Sequence, residues 1–280
     1  MKLLAIDTAT ESCSAALLID TSVRSREVEM ERGHAERILP MVDELLAEAG
    51  IALNDLDAIA FGRGPGSFTG VRLATTVTQG LAFGAGLGVV PVSDLQAVAQ
   101  RVLDTDPTAP RVLVCNDARM SEVYWGCYER GGDGLARPEG EERVSKPTEV
   151  KLPPTWTMTI VTPAGRGFIA YAEALRVAVP NATPRALHPT SVPTATPTPT
   201  PIATLMLTAM HTTSPPVSSD DPIHYLPRAI EVARLAVPAV TAGRLLPPEE
   251  ALPIYLRDNV AHVTQGPKPP GQGPKRLSHE

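Results

Sequence analysis

Apolar and polar positions fall into short strand-length runs at the start of the chain and then settle into helical spacing. Residues 3–6 form an apolar run that stops at Asp7, and residues 14–19 and 23–30 follow it on either side of Asp20, Thr21 and Ser22. Runs of this length bounded by polar turn residues predict three strands in a β-meander. The period then changes. Ala35, Ile38, Leu39, Val42, Leu45, Leu46 and Ala49 share one helix face, Glu36, Arg37, Asp43, Glu44 and Glu48 the other, and Gly50 supplies the stop. His34 reads as the start of this helix, and Pro40 inside the pattern predicts that the helix either begins near it or kinks there. Next come a buried strand over residues 58–61, a helix over about 69–83, a strand over 88–92 and a helix over 93–103 capped by Ser93 or Asp94. Residues 111–115 and 122–128 predict a strand pair turning about residues 116–119.

The pattern weakens beyond Arg130. A strand is expected at 160–161 and a helix over 168–179, after Gly165 and Gly167. Residues 180–227 contain eleven prolines, with a Thr-Pro repeat at 194–201. Proline fixes φ and removes an amide donor, so this stretch reads as an extended insertion. A helix is expected again over 226–242, disturbed by Pro238, then a short strand at 254–257 and a frayed Gly/Pro-rich tail after Val263. The alternation of strands and helices makes the first 130 residues an α/β unit. The expected divisions are residues 1–105, 106–262 with the insertion at about 180–227, and 263–280.

Two features of composition change this picture. Only 4% of the 280 residues are aromatic while 43% are hydrophobic, so the core is expected to be built from Ala, Val, Leu and Ile. The net charge of −6, without a basic stripe, argues against unaided binding of nucleic acid, which needs clustered Lys and Arg. Cys13, Cys115 and Cys127 are odd in number and widely spaced, which fits reduced thiols better than a disulfide framework or zinc site. The six histidines form no i, i+4 pair and no His-Glu-x-x-His motif, so no metal is expected. The first apolar run is too short for a signal peptide, and none reaches the roughly 18–20 residues that span a bilayer, so a soluble, cytoplasmic protein is expected.

The densest chemistry lies at residues 61–72, where Gly62, Gly64, Gly66 and Gly70 punctuate a strand-to-helix corner whose helix Ser67 or Thr69 can cap. Such a corner is either purely structural or a seat for an anion at the helix N-terminus. It lacks the Gly-Lys-Ser/Thr of a Walker loop, and Ser67 is not in a Gly-x-Ser-x-Gly elbow, so a serine hydrolase is not expected. The turn at Asp7, Thr8 and Thr10 reads either as a nucleotide-contacting turn or as a carboxylate capping nearby amides.

Asp-Thr-Ala-Thr at 7–10, His-Ala-Glu-Arg-Ile-Leu-Pro at 34–40 and Gly-Arg-Gly-Pro-Gly-Ser-Phe-Thr-Gly-Val-Arg at 62–72 resemble the TsaB (YeaZ) family. So do Asn-Asp-Ala-Arg at 116–119, Glu-Val-Tyr-Trp at 122–125, residues 165–171 and Pro-Ile-Tyr-Leu-Arg at 253–257. The likeness is nearly continuous to about Arg130 and patchy to about Ala261.

The resemblance implies an actin-like ATPase (ASKHA) fold with two βββαβα-type subdomains, the second degenerate. Its signature loop would be Gly64, Pro65, Gly66, Ser67, Phe68, Thr69, Gly70 and Arg72. It also implies a non-catalytic subunit in the formation of threonylcarbamoyladenosine on tRNA, not itself an enzyme. That subunit pairs with a TsaD-type transferase and a TsaE-type P-loop ATPase, or with itself when alone, and meets tRNA only through the complex. Family members pair through two helices, which implies an interface of Ile38, Leu39, Val42, Leu45 and Leu46 on the first, with Leu73, Val77 and Leu81 on the second. The catalytic paralogue holds its metal with a His-x-x-x-His pair, where this chain reads Ser93-Asp94-Leu95-Gln96-Ala97-Val98. Ala9 replaces a glycine of the superfamily's phosphate turn, so Asp7, Thr8 and Thr10 are expected to be a vestigial nucleotide site, with no cofactor beyond weak ATP or ADP binding. The alternatives are a metallopeptidase of glycoprotease type and a small-molecule kinase.

Overall fold

The computed structural model describes residues 1–156, 159–182 and 221–257. The opening runs form the expected meander of β1 (Lys2–Asp7), β2 (Ser12–Ile19) and β3 (Ser22–Glu29), paired antiparallel. β4 (Ala58–Gly62) and β5 (Gly88–Val92) then join parallel on the other side, giving the order β3-β2-β1-β4-β5. Helix α1 (His34–Ala49) precedes β4, and α2 (Phe68–Ala85) links β4 to β5. α1 begins at His34 and runs through Pro40. Pro40 and Glu36 are both exposed, so the carbonyl that proline leaves without a donor faces water. Gly50 ends the helix in the left-handed conformation, with φ 66°.

β6 (Arg111–Asp117) and β7 (Val123–Arg130) form the second hairpin, flanked by β8 (Ala136–Pro138) and β9 (Arg143–Ser145), which both pair with β7. β10 (Thr162–Ala164) adds parallel to β6. This sheet repeats the order of the first, with β6 in the place of β1, β7 of β2 and β10 of β4. The duplicated order is that of the actin-like fold. Among the described residues the second copy has no counterpart of β5, so it is the degenerate half.

Alternation along the strands sorts side chains onto the two faces. Leu4, Ile6, Ile59 and Phe61 point to the side covered by α1 and α2. Leu3 and the small Ala5, Ala16, Ala58 and Ala60 point to the other, where α6 (Ala229–Thr241) presses Ala229, Val232, Ala233 and Ala236 against them. Alanine on both surfaces is what lets this helix close. The strands of the two sheets thus lie on either side of residue 105 in sequence, while residues 229–241 return to the first sheet. α3 (Asp94–Thr105) packs Leu95, Val98 and Val102 on Val112, Val114 and Tyr128 of the second sheet. The far face of that sheet is filled by Leu113, Cys115, Trp125, Cys127 and Trp156.

Four local expectations differ from the structure. The turn between β6 and β7 lies at Arg119, Met120 and Ser121, all with positive φ (62°, 55° and 59°), because Asn116 and Asp117 still belong to the strand ladder. The strand foreseen at 160–161 falls at Thr162–Ala164. The helix expected over 168–179 breaks at Tyr171 into α4 (Gly167–Ala170) and α5 (Ala172–Ala178). Residues 254–257 are not a strand. They form a strap in which the Ile254 amide donates to the Arg63 carbonyl at 2.8 Å, while Arg257 reaches the Ala118 carbonyl and Glu122. Most of the proline-rich insertion and the tail after Val263 lie outside the described residues.

Candidate functional site

The glycine-rich corner is built against the first turn of the chain. Ser67 is the helix cap, its hydroxyl accepting from the Gly70 amide at 3.0 Å. Its own amide donates to the Ala9 carbonyl at 2.7 Å, and the Thr8 hydroxyl donates to the Gly70 carbonyl at 2.7 Å. A Cβ on Gly70 would overlap the Thr8 carbonyl oxygen, so only glycine admits this turn. The Ser67 and Gly70 amides and the glycine at 70 are therefore used within the chain itself. Gly64 and Gly66 carry the intervening bend, with the Gly64–Pro65 bond cis and Pro65 buried. At its outer rim Phe68, Thr69 and Arg72 are exposed. The Arg72 guanidinium lies 3.3 Å above the Phe68 ring centre and 5.4 Å from that of Tyr255.

The three residues foreseen as a vestigial nucleotide site do not act together. Asp7 is wholly buried, caps the Ala9 amide at 2.9 Å and faces Asp94, while Thr8 is spent on Gly70. Thr10 alone lines the cleft between the two sheets, a cavity of about 260 Å³ shared with Glu11, Asn116, Asp117, Arg119 and Arg166. The cations there are already engaged. Arg166 pairs with Glu29 and, at 3.8 Å, with Glu11, and Arg119 lies 3.9 Å from Glu11 and 3.4 Å from Asp117. A polyphosphate entering this cleft would meet carboxylates as well as paired arginines, an unfavourable arrangement for an anion. Among the described residues no three histidine, cysteine or acidic side chains cluster in a way that could hold a metal ion.

The expected interface splits in two. Ile38, Val42, Leu45 and Leu46 are buried in this chain's own core beneath α1, so they are not available to a partner. That is a correction, and its reason is that α1 turns these four side chains onto the sheet it covers. Leu39 is exposed and Leu73 is half-buried, whereas the half-buried Val77 and Leu81 pack against this chain's own core, a second correction to the expected interface. Phe83, which sequence reading passed over as an interface residue, is 79% exposed near the end of α2. Cβ atoms built on Gly80 and Gly84 would meet nothing within 4 Å. Also missed was the role of Asp94, read from sequence only as a capping candidate.

Comparison with known proteins places these features in a family. The model described as TsaD, tRNA N6-adenosine threonylcarbamoyltransferase, matches residues 28–183, more than half of the chain. A solved Pseudomonas aeruginosa protein described as similar to peptidase YeaZ is 40% identical, covers 91% of this chain and 99% of its own, and superposes with a TM-score of 0.73. The chain belongs to the TsaB (YeaZ) family. A curated relative, the tRNA threonylcarbamoyladenosine biosynthesis protein TsaB of Escherichia coli, is 49% identical over 52% of this chain. TsaB of Haemophilus influenzae is 52% identical over 45% of this chain. The matches span 63% and 52% of those two relatives' own lengths. No helix among the described residues is long and apolar enough to cross a membrane.

Proposed function

We propose that the chain is a non-catalytic subunit in the cytoplasmic formation of N6-threonylcarbamoyladenosine on tRNA. It docks a TsaD-type transferase through the outer face of α2, with a TsaE-type P-loop ATPase completing the assembly. The observation that carries this reading is the outward stripe of Leu73, Gly80 and Gly84, with the exposed Phe83 flanking it. It joins a largely exposed aromatic ring to open glycines, where a second helix can come close to the backbone. The relatives' names support the pathway. The α3 sequence supports the lack of catalysis, since Asp94, Leu95, Gln96, Ala97 and Val98 stand where the resemblance implies a metal-binding histidine pair, and all but Gln96 are buried. The same stripe serves self-association when the chain is alone, and tRNA is met through the complex. No cofactor is needed for this role.

The test is reconstitution of the tRNA modification from the TsaD-type and TsaE-type proteins and the carbamoyl-adenylate synthase, with and without this chain. Product is expected only when the chain is present. Equal product in its absence would overturn the reading.

A further inference from the structure

We propose that Asp7 and Asp94 hold one proton between them, and that this proton fastens three separate segments of the chain at the glycine-rich corner. Both side chains are wholly buried. Each spends one oxygen on backbone: Asp7 Oδ1 accepts from the Ala9 amide at 2.9 Å, and Asp94 Oδ2 accepts from the Gly64 amide. Asp94 also donates its own amide to the Gly64 carbonyl at 3.1 Å, so it grips that residue from both sides. The remaining oxygens, Asp7 Oδ2 and Asp94 Oδ1, have no N–H or hydroxyl partner. They converge on the same α-carbon, that of Gly62. A Cβ there would overlap Asp94 Oδ1 and stand 2.6 Å from Asp7 Oδ2, so glycine is required for the two carboxyls to meet.

Two carboxylates this near in a dry site repel, and two unpartnered oxygens there cost their full desolvation. One proton resolves both, turning the facing oxygens into a donor and an acceptor. It thereby ties together the turn after β1, the loop after β4 and the first residue of α3.

The surrounding charges act in both directions. Glu27 on β3 faces Asp7 and favours protonation, while His34 at the start of α1 opposes it; the Cys13 thiol on β2 is the other titratable neighbour. Glu142, in the loop between β8 and β9, faces Asp94 and accepts from the Ser93 and Tyr128 hydroxyls. The α3 N-terminus favours a charged Asp94. Burial outweighs it and raises both carboxyls. The pair titrates as a unit, not as two independent sites. Because the folded pair holds its proton above the ordinary carboxylate range, its contribution is present at acid pH and is lost as pH rises through the folded value.

The experiment is a carbon-13 carboxyl titration of the full chain labelled at aspartate, alongside thermal unfolding between about pH 5 and pH 9, for the wild type and Asp94→Asn. One carboxyl of the wild type is expected to stay protonated after the exposed aspartates have ionised. Asp94→Asn, whose amide donates permanently to Asp7, should abolish that signal and flatten the alkaline fall in Tm. If every aspartate in the wild type ionises together in the ordinary carboxylate range, or if both proteins lose Tm with the same slope, the shared proton is refuted. Should Asp94→Asn fail to fold, the wild-type titration decides alone, with Asp7→Asn as the mirror variant.

Discussion

The backbone amide of Ala229 donates to the hydroxyl of Ser14 at 3.0 Å, joining the first residue of α6 to the middle of β2 across 215 positions of sequence. Both residues are buried, so no water replaces the acceptor if it is removed. Ser14→Ala is expected to cost about 1–3 kcal/mol, the penalty for an orphaned buried donor. Urea unfolding should show a lower midpoint at unchanged slope, because the folded state loses a bond and not its compactness.

Two glycines of α2 should respond in opposite ways to the same substitution. Gly70→Ala drives a methyl into the Thr8 carbonyl and is expected to destabilise by about 1–3 kcal/mol. Gly80→Ala meets nothing within 4 Å and should stabilise the helix by about 0.5–1 kcal/mol. Thermal unfolding of the two variants side by side checks both, and an equal shift in one direction would contradict the packing described here.

The surface and core halves of the helix pair are separable by charge. Phe83→Glu changes a side chain that is 79% exposed and should leave circular dichroism and Tm nearly unchanged while weakening association with the TsaD-type partner. Leu46→Glu places a carboxylate inside the core under α1 and is expected to unfold the chain, since an unpaired buried charge is costly. A pull-down read beside the dichroism spectrum distinguishes lost docking from lost folding.

The three cysteines should be inert while the chain is folded. Burial pushes the Cys13 thiol up to about 11 and the Cys127 thiol up to about 12, with Cys115 raised well above its usual value as well. Since the thiolate is the reactive form, iodoacetamide near pH 7.5 is expected to leave the native protein unmodified and to add to all three sites after denaturation, as read by intact mass.

Much of this architecture is legible before any coordinates. The run 3–6 ending at Asp7, the helical spacing from Ala35 and the caps at Ser67 and Ser93 all carry their information within a few residues, since strand alternation, helix period and capping are local properties. The strap at 254–257 was misread for the same reason. Its bonds go to Arg63, Ala118 and Glu122, far away in sequence, and no local pattern encodes them.

The chain's order of residues thus determined by itself the opening meander, the later strand pair, the helices between them, the glycine corner and the family resemblance, because each rests on short-range periodicity or a contiguous motif. Tertiary structure alone decided that α6 returns to the first sheet and that Ile38, Val42, Leu45 and Leu46 belong to the core while Phe83 stays outside. It alone decided that Asp7 turns from the cleft to meet Asp94. Amphipathic spacing shows that a side chain is apolar without saying which surface will cover it, and two carboxyls 87 positions apart become neighbours only when β1, β4 and α3 converge.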